Sequence, residues 1–157
     1  MATNHRISRN EEGIAIVSGV LKQQFGDRFQ TGDAIREQHG HTTTWLENQW
    51  PDAVVFARDK DEIVAIVKVC ATHKVPVIPF GTGTSLEGHV NAPAGGICID
   101  VTQMDKILAV YPDDLSCVVQ PGVTREQLNT HLRDQGLFFP IDPGANASLG
   151  GMAATSA

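Results

Sequence analysis

The sequence predicts an α+β fold, with a small parallel βαβ sheet followed by a second, mainly antiparallel sheet, both accompanied by helices. Two observations carry this prediction. Between Ala53 and Phe80 an apolar run, a capped amphipathic stretch and a second apolar run follow one another. Further on, Ile107–Tyr111 and Leu115–Val119 flank the turn sequence Pro112-Asp113-Asp114.

The first element is expected to be an amphipathic helix. Ser8 and Glu11 have the spacing of a capping box, Ile14, Val17, Leu21 and Phe25 recur at helical intervals, and Gly26 supplies a stop. Gly13 and Gly19 weaken it. Thr31 to His41 predicts a short second helix, followed by a polar, Trp-bearing loop through Pro51. Residues 1–50 thus form an N-terminal helical segment and loop, and 51–157 the main domain. His39 and His41 are expected to be solvated loop histidines and not metal ligands, because no carboxylate or cysteine stands at ligand spacing.

Ala53 to Ala57 is a buried strand. Asp59 and Glu62 open a helix whose apolar face is Ile63, Ile66, Val67 and Cys70. Val75 to Phe80 returns as a strand, kept short by Pro76 and Pro79, which lack the N–H a ladder needs. Ile97 to Asp100 joins the same sheet as a third strand. After the hairpin, Thr124 and Gln127 cap a helix bearing Leu128 and Leu132, Gly136 stops it, and Leu137 to Phe139 is an extended exit. The tail from Pro140 is rich in Gly, Ala and Ser, with few side chains able to anchor a core. No internal repeat or dividing linker is present.

A chain of 157 residues can bury a real core. Hydrophobic residues are 41% and charged residues 19%, no apolar run approaches a membrane span, and the first ten residues lack a signal-peptide apolar core. The net charge of -6 disfavours nucleic acid and anionic membranes, so an anionic ligand must be held locally. Cys70, Cys98 and Cys117 sit singly among apolar neighbours and are expected to be buried free thiols of a reducing compartment.

Two small-residue segments could provide that local hold. Pro79-Phe80-Gly81-Thr82-Gly83-Thr84-Ser85 follows a strand, and its glycines and short hydroxyl residues let successive N–H groups turn toward one point, a nest for phosphate oxygens. It is neither a Rossmann fingerprint, since Pro93 and further glycines follow where a helix should run, nor a P-loop, which needs a lysine. The second segment runs from Asp142 to Thr155. Its small side chains would let a flat ring or ribityl chain lie against the backbone, with Ser148 and Thr155 offering hydroxyls and the glycines unshielded N–H groups. Taken singly, the two segments fit a surface turn and a flexible tail equally well.

Together and in this order, the βαβ unit, PFGTGTSLEG, VVQPGV and PGANASLGGMAATSA resemble the FAD-binding domain of the p-cresol methylhydroxylase and vanillyl-alcohol oxidase superfamily. LEGH with PGANASLGG is most similar to the D-lactate dehydrogenase and glycolate oxidase branch. The resemblance implies a PCMH-type fold in which the backbone of Gly81, Thr82, Gly83, Thr84 and Ser85 holds the FAD pyrophosphate, with Pro79 and Phe80 also among the cofactor-binding residues. It also implies that Pro121, Asp142, Pro143, Gly144, Ala145, Ser148, Leu149, Gly150, Gly151 and Thr155 line the rest of the cofactor. The family usually has arginine where Phe80 stands, which leaves Phe80 a packing residue. Some relatives attach FAD covalently through a histidine of an RSGGH loop; Thr84 falls at that place, so non-covalent FAD is implied and His89 is expected to form no bond to flavin.

The implied activity is flavin-dependent oxidation of a D-2-hydroxyacid, a hydride passing from substrate C2 to flavin N5 and electrons then to an unknown acceptor. In relatives the base, the carboxylate-binding arginine and any metal lie after the FAD loops. No catalytic or metal residue is therefore expected here; the chain should be an FAD domain cut short at its C-terminus, silent alone, with the small-molecule substrate bound by a missing C-terminal domain. A cytoplasmic location is expected, peripheral to a membrane or mitochondrial being the variants. Two other classes stay open: a structural or interaction domain that holds no FAD, and an ATP-using transferase, the latter lacking an evident acidic Mg²⁺ site near the loop.

Overall fold

In the computed structural model, residues 8–156 are described; the expectation of no signal-peptide core falls partly on the first seven residues, which lie outside them. The N-terminal helix α1 (Glu11–Phe25) begins two residues later than the expectation. Its cap is Asn10, not Ser8: Asn10 Oδ1 accepts the Gly13 N–H at 3.0 Å, and Nδ2 donates to the His73 carbonyl at 2.8 Å. Asparagine wins because it makes both bonds at once. The same approach explains Gly13, where a Cβ would lie 2.5 Å from the His73 oxygen. Gly26 ends the helix at φ 55° and donates to the Lys22 carbonyl.

A short strand β1 (Phe29–Gln30) and helix α2 (Asp33–Gly40) follow, then β2 (Ala53–Phe56), α3 (Lys60–Thr72), β3 (Val77–Phe80) and β4 (Ile97–Asp100). The sheet order is β1-β2-β4-β3, with β1 antiparallel and the rest parallel. The βαβ unit β2-α3-β3 therefore does not pair its own strands, because β4 inserts between them. Pro79 is tolerated since β3 is an edge strand on which it faces solvent. Parallel neighbours need a crossover of a dozen or more residues, and between β3 and β4 the whole glycine-rich segment serves as that crossover.

Side-chain alternation splits the sheet into two faces. Ala53, Val55, Ile97 and Ile99 pack with Val17 and Leu21 of α1 and Ile66 and Cys70 of α3. Val54, Ile78, Phe80 and Cys98 face the other way, toward Val90, Ala92 and Ile35 of α2. On α3, Val67 is exposed, so the apolar face is narrower than the sequence suggests. Asp59 caps α3 by accepting the Glu62 N–H at 2.8 Å. Arg28 locks the turn after α1 to α3 through paired 2.7 Å bonds to Glu62.

The second layer is the hairpin β5 (Ile107–Tyr111) and β6 (Ser116–Val119), bulged at Leu108, with helix α4 (Arg125–Leu132) against it. Thr124 and Gln127 make the full capping box. Val123, Leu128 and Leu132 form its core with Ile107, Val110, Cys117 and Leu149. The tail is not loose. Residues 147–150 run against 121–125, with Arg125 N–H to Ala147 O at 3.0 Å, Leu149 N–H to Val123 O at 2.8 Å and Gly150 N–H to Pro121 O at 2.9 Å. Helix α5 (Leu149–Thr155) follows, with Ser148 as its cap and Met152 buried. Main-chain bonds anchor the tail where large side chains are lacking. Cys70 and Cys98 are buried, whereas Cys117 is only half-buried; all three are free thiols.

Candidate cofactor-binding site

The parallel strands end together. Phe56, Asp100 and Phe80 are partners in register across β2, β4 and β3, so they form one row on one face at the carboxyl ends of the strands, where open α/β sheets bind ligands. Helix α2 lays His39 over that row. A groove of about 500 Å³ opens beside it, lined by Ile35, Gln38, His39, His41, Phe56, Phe80, Gly81, Thr82, Gly83, Asp100 and Thr102. Among the described residues, no lysine or arginine lines it.

His39 is buried, contrary to the expectation of a solvated histidine, and so is Asp100. Nδ1 lies 2.8 Å from the Ile35 carbonyl and Nε2 2.8 Å from Asp100 Oδ2. A carbonyl can only accept, so Nδ1 carries a hydrogen, and one further proton lies between Nε2 and Asp100. Asp100 Oδ1 is taken by the N–H and hydroxyl of Thr102. Behind this row, burial and the nearby Asp100 charge push the Cys98 thiol up, and burial alone pushes Cys70 up to about 11. The available signal for the pair was an aspartate closing the apolar run GGICID, a carboxylate that has to find a buried partner. His41, by contrast, is exposed, with Nδ1 3.1 Å from Asn48.

At the end of β3 the chain turns through Gly81–Ser85, with Gly83 at φ 68°. Among the described residues, none of the backbone N–H groups from Gly81 to Ser85 finds an acceptor within the protein. Hydroxyls pair locally instead: Thr82 with Thr84 at 3.3 Å, and Ser85 with His89 Nδ1 at 2.7 Å. A run of half-exposed unpaired amides is incomplete without water or an anion.

The second segment meets the first at one point. A Cβ on Gly81 would lie 2.4 Å from Ser148 Oγ, and one on Gly150 would lie 2.6 Å from Pro121 Cβ. Gly81 is therefore packed directly on the Ser148 side chain and Gly150 on Pro121, with Leu149 half-buried beside them. The glycine amides of the second segment are not free, however. Gly144 donates to Asp142 Oδ1, Gly150 to Pro121 and Gly151 to Ser148 Oγ, while the Thr155 hydroxyl donates to the Gly151 carbonyl. This corrects the expectation of unshielded glycine N–H groups there: these glycines can shape a surface, but their N–H groups are spent within the protein. Asp142, Pro143 and Gly144 are exposed, Asp142 facing Arg125 at 3.3 Å, and Ala145 is half-buried. The open amides and the close glycine packing beside them suit the diphosphate of a dinucleotide.

Residues 51–157 match the family model described as FAD binding domain. The chain is 44% identical over 156 residues to a protein of Danio rerio called probable D-lactate dehydrogenase, mitochondrial, covering 99% of this chain and 31% of that one. It is 49% identical over 105 residues to D-lactate dehydrogenase [cytochrome], mitochondrial, of Arabidopsis thaliana, covering 67% and 18%. The chain thus spans less than a third of these curated relatives. Among solved structures, an alkyldihydroxyacetonephosphate synthase superposes with TM-score 0.81 at 23% identity, over 91% of this chain and 32% of that one. p-Cresol methylhydroxylase does so with TM-score 0.70 at 22% identity, over 82% and 26%. The fold is the PCMH type. The chain belongs to the FAD binding domain family.

Proposed function

We propose that this chain is the FAD-holding part of a flavin-dependent D-2-hydroxyacid dehydrogenase of the D-lactate or glycolate-oxidising kind, with residues 1–50 an N-terminal helical segment and 51–157 the FAD-binding domain. The observation that carries the reading is the run of unpaired amides from Gly81 to Ser85 at the carboxyl ends of parallel strands. The relatives named D-lactate dehydrogenase support the substrate class. Pro79 and Phe80 bring the chain to the loop, Gly81, Thr82, Gly83, Thr84 and Ser85 donate to the diphosphate, and Pro121, Ser148, Leu149, Gly150 and Gly151 form the wall beside it. Asp142, Pro143, Gly144, Ala145 and Thr155 border the remainder.

FAD is held non-covalently. Thr84 offers only a hydroxyl at the position where covalent relatives place a histidine, and His89 is engaged with Ser85. When bound in this loop, FAD would supply the two-electron acceptor for oxidising the substrate hydroxyl, its N5 being the place for the C2 hydride. The base that takes the hydroxyl proton and the groups that bind the substrate carboxylate come from chain outside these residues. No helix among the described residues is long and apolar enough to cross a membrane; free thiols and the mitochondrial relatives support a mitochondrial or cytoplasmic site of action.

The test is direct. The full-length polypeptide is expected to purify yellow, to release all its flavin into the supernatant on acid precipitation, and to bleach on anaerobic addition of D-lactate or glycolate but not L-lactate. A colourless full-length protein that takes up no FAD would instead favour a non-catalytic structural domain.

A further inference from the structure

His39 has no part in that reading, yet it is one of the most completely buried polar side chains described, and it touches every residue of the row at the strand ends. Its ring centroid lies 4.3 Å from that of Phe80 and 5.9 Å from that of Phe56, and its Nε2 bonds Asp100. Phe80 in turn supports the loop: a Cβ on Gly83 would lie 2.8 Å from Phe80 Cζ. A line of contact therefore runs from Asp100 through His39 and Phe80 to the one loop residue with a positive φ. Both ring nitrogens are engaged, so His39 cannot itself donate to a ligand. What it can do is hold Phe80 at a fixed height beneath Gly83.

We propose that His39 is a positioning residue for the diphosphate of the dinucleotide, its ring being the shelf that sets Phe80 and hence the direction of the Thr82, Gly83 and Thr84 amides. This rests on the FAD reading above. A loop with no lysine or arginine beside it among the described residues depends on amide direction, so small displacements weaken anion binding out of proportion to their size. Asp100 and the Ile35 carbonyl matter because they pin the ring at both nitrogens.

The full-length protein, stripped of FAD and retitrated, tests it, with folding of each apoprotein checked by circular dichroism. His39→Gln keeps a donor for Asp100 but removes the ring; its FAD Kd is expected to rise about tenfold or more, and the ³¹P resonances of bound FAD should move at saturation while the flavin absorbance stays put. Asp100→Asn can donate from its amide to Nε2 and leaves the ring pinned, so its Kd should stay within about threefold. Combining His39→Gln with Phe80→Ala should add little beyond the larger single effect, because one acts through the other. If His39→Gln does not fold, Phe80→Leu, which fills the space without a flat ring, carries the same expectation. Unchanged Kd and ³¹P shifts in folded His39→Gln, fully additive double substitutions, or an equal loss in Asp100→Asn would each overturn the positioning role while leaving FAD binding intact. A full-length protein that takes up no FAD at all would overturn both.

Discussion

Replacing Gly81 with alanine tests whether the two small-residue segments truly share one wall. The added Cβ would stand 2.4 Å from Ser148 Oγ but 3.5 Å from Ser148 Cβ, so the hydroxyl alone causes the clash. Ser148 is only 1% exposed and caps α5 by accepting the Gly151 N–H at 3.3 Å, so it has little freedom to swing away. Overpacking a buried contact costs about 1–3 kcal/mol, and loss of a serine cap adds about 1 kcal/mol. Gly81→Ala should therefore destabilise by about 2–4 kcal/mol, read as a lowered urea midpoint at unchanged m-value. In a Ser148→Ala background the obstacle is gone. There the same substitution should cost less than about 1 kcal/mol, a coupling of at least ~1 kcal/mol between neighbouring sites. Additive costs, or a neutral Gly81→Ala, would refute the shared wall.

Gly150→Ala should behave similarly without a rescue partner, because its Cβ meets the Pro121 backbone and ring at 2.6–3.0 Å; a loss of about 2–3 kcal/mol is expected in the same urea assay. The Arg28 guanidinium holds the Glu62 carboxyl below its ordinary value of 4.5. That contribution to stability is therefore full above the ordinary value and disappears as pH falls through the lowered one; Glu62→Gln should flatten this acid limb and cost about 1 kcal/mol at pH 7 by urea unfolding, with no effect on the slope above pH 6. Burial keeps Cys70 and Cys98 protonated. Ellman's reagent at pH 8 should accordingly find Cys117 first in the native chain and all three thiols only after denaturation.

Much of the architecture is legible in adjacent residues. Asp59 with Glu62 and Thr124 with Gln127 announce helix starts because a cap bonds an amide three residues ahead. Pro112-Asp113-Asp114 announces the hairpin because the turn needs those conformations. The same local reading misplaced the first cap, since Asn10 is favoured by a carbonyl 63 positions away. It left α5 unforeseen, because a tail of small residues is held by main-chain bonds to Pro121, Val123 and Arg125 that no side-chain pattern announces.

From the residues alone came the α+β class, the positions of most helices and strands, and the two segments suited to a dinucleotide. Each rests on interactions between near neighbours in the chain. Tertiary structure alone decided that β4 enters between β2 and β3, that His39 meets Asp100 across 61 positions, and that the amides of Gly81–Ser85 stay open while those of Gly150 and Gly151 are spent internally. Those outcomes depend on strand order and register, which bring distant groups to one edge and are set by packing of the whole sheet.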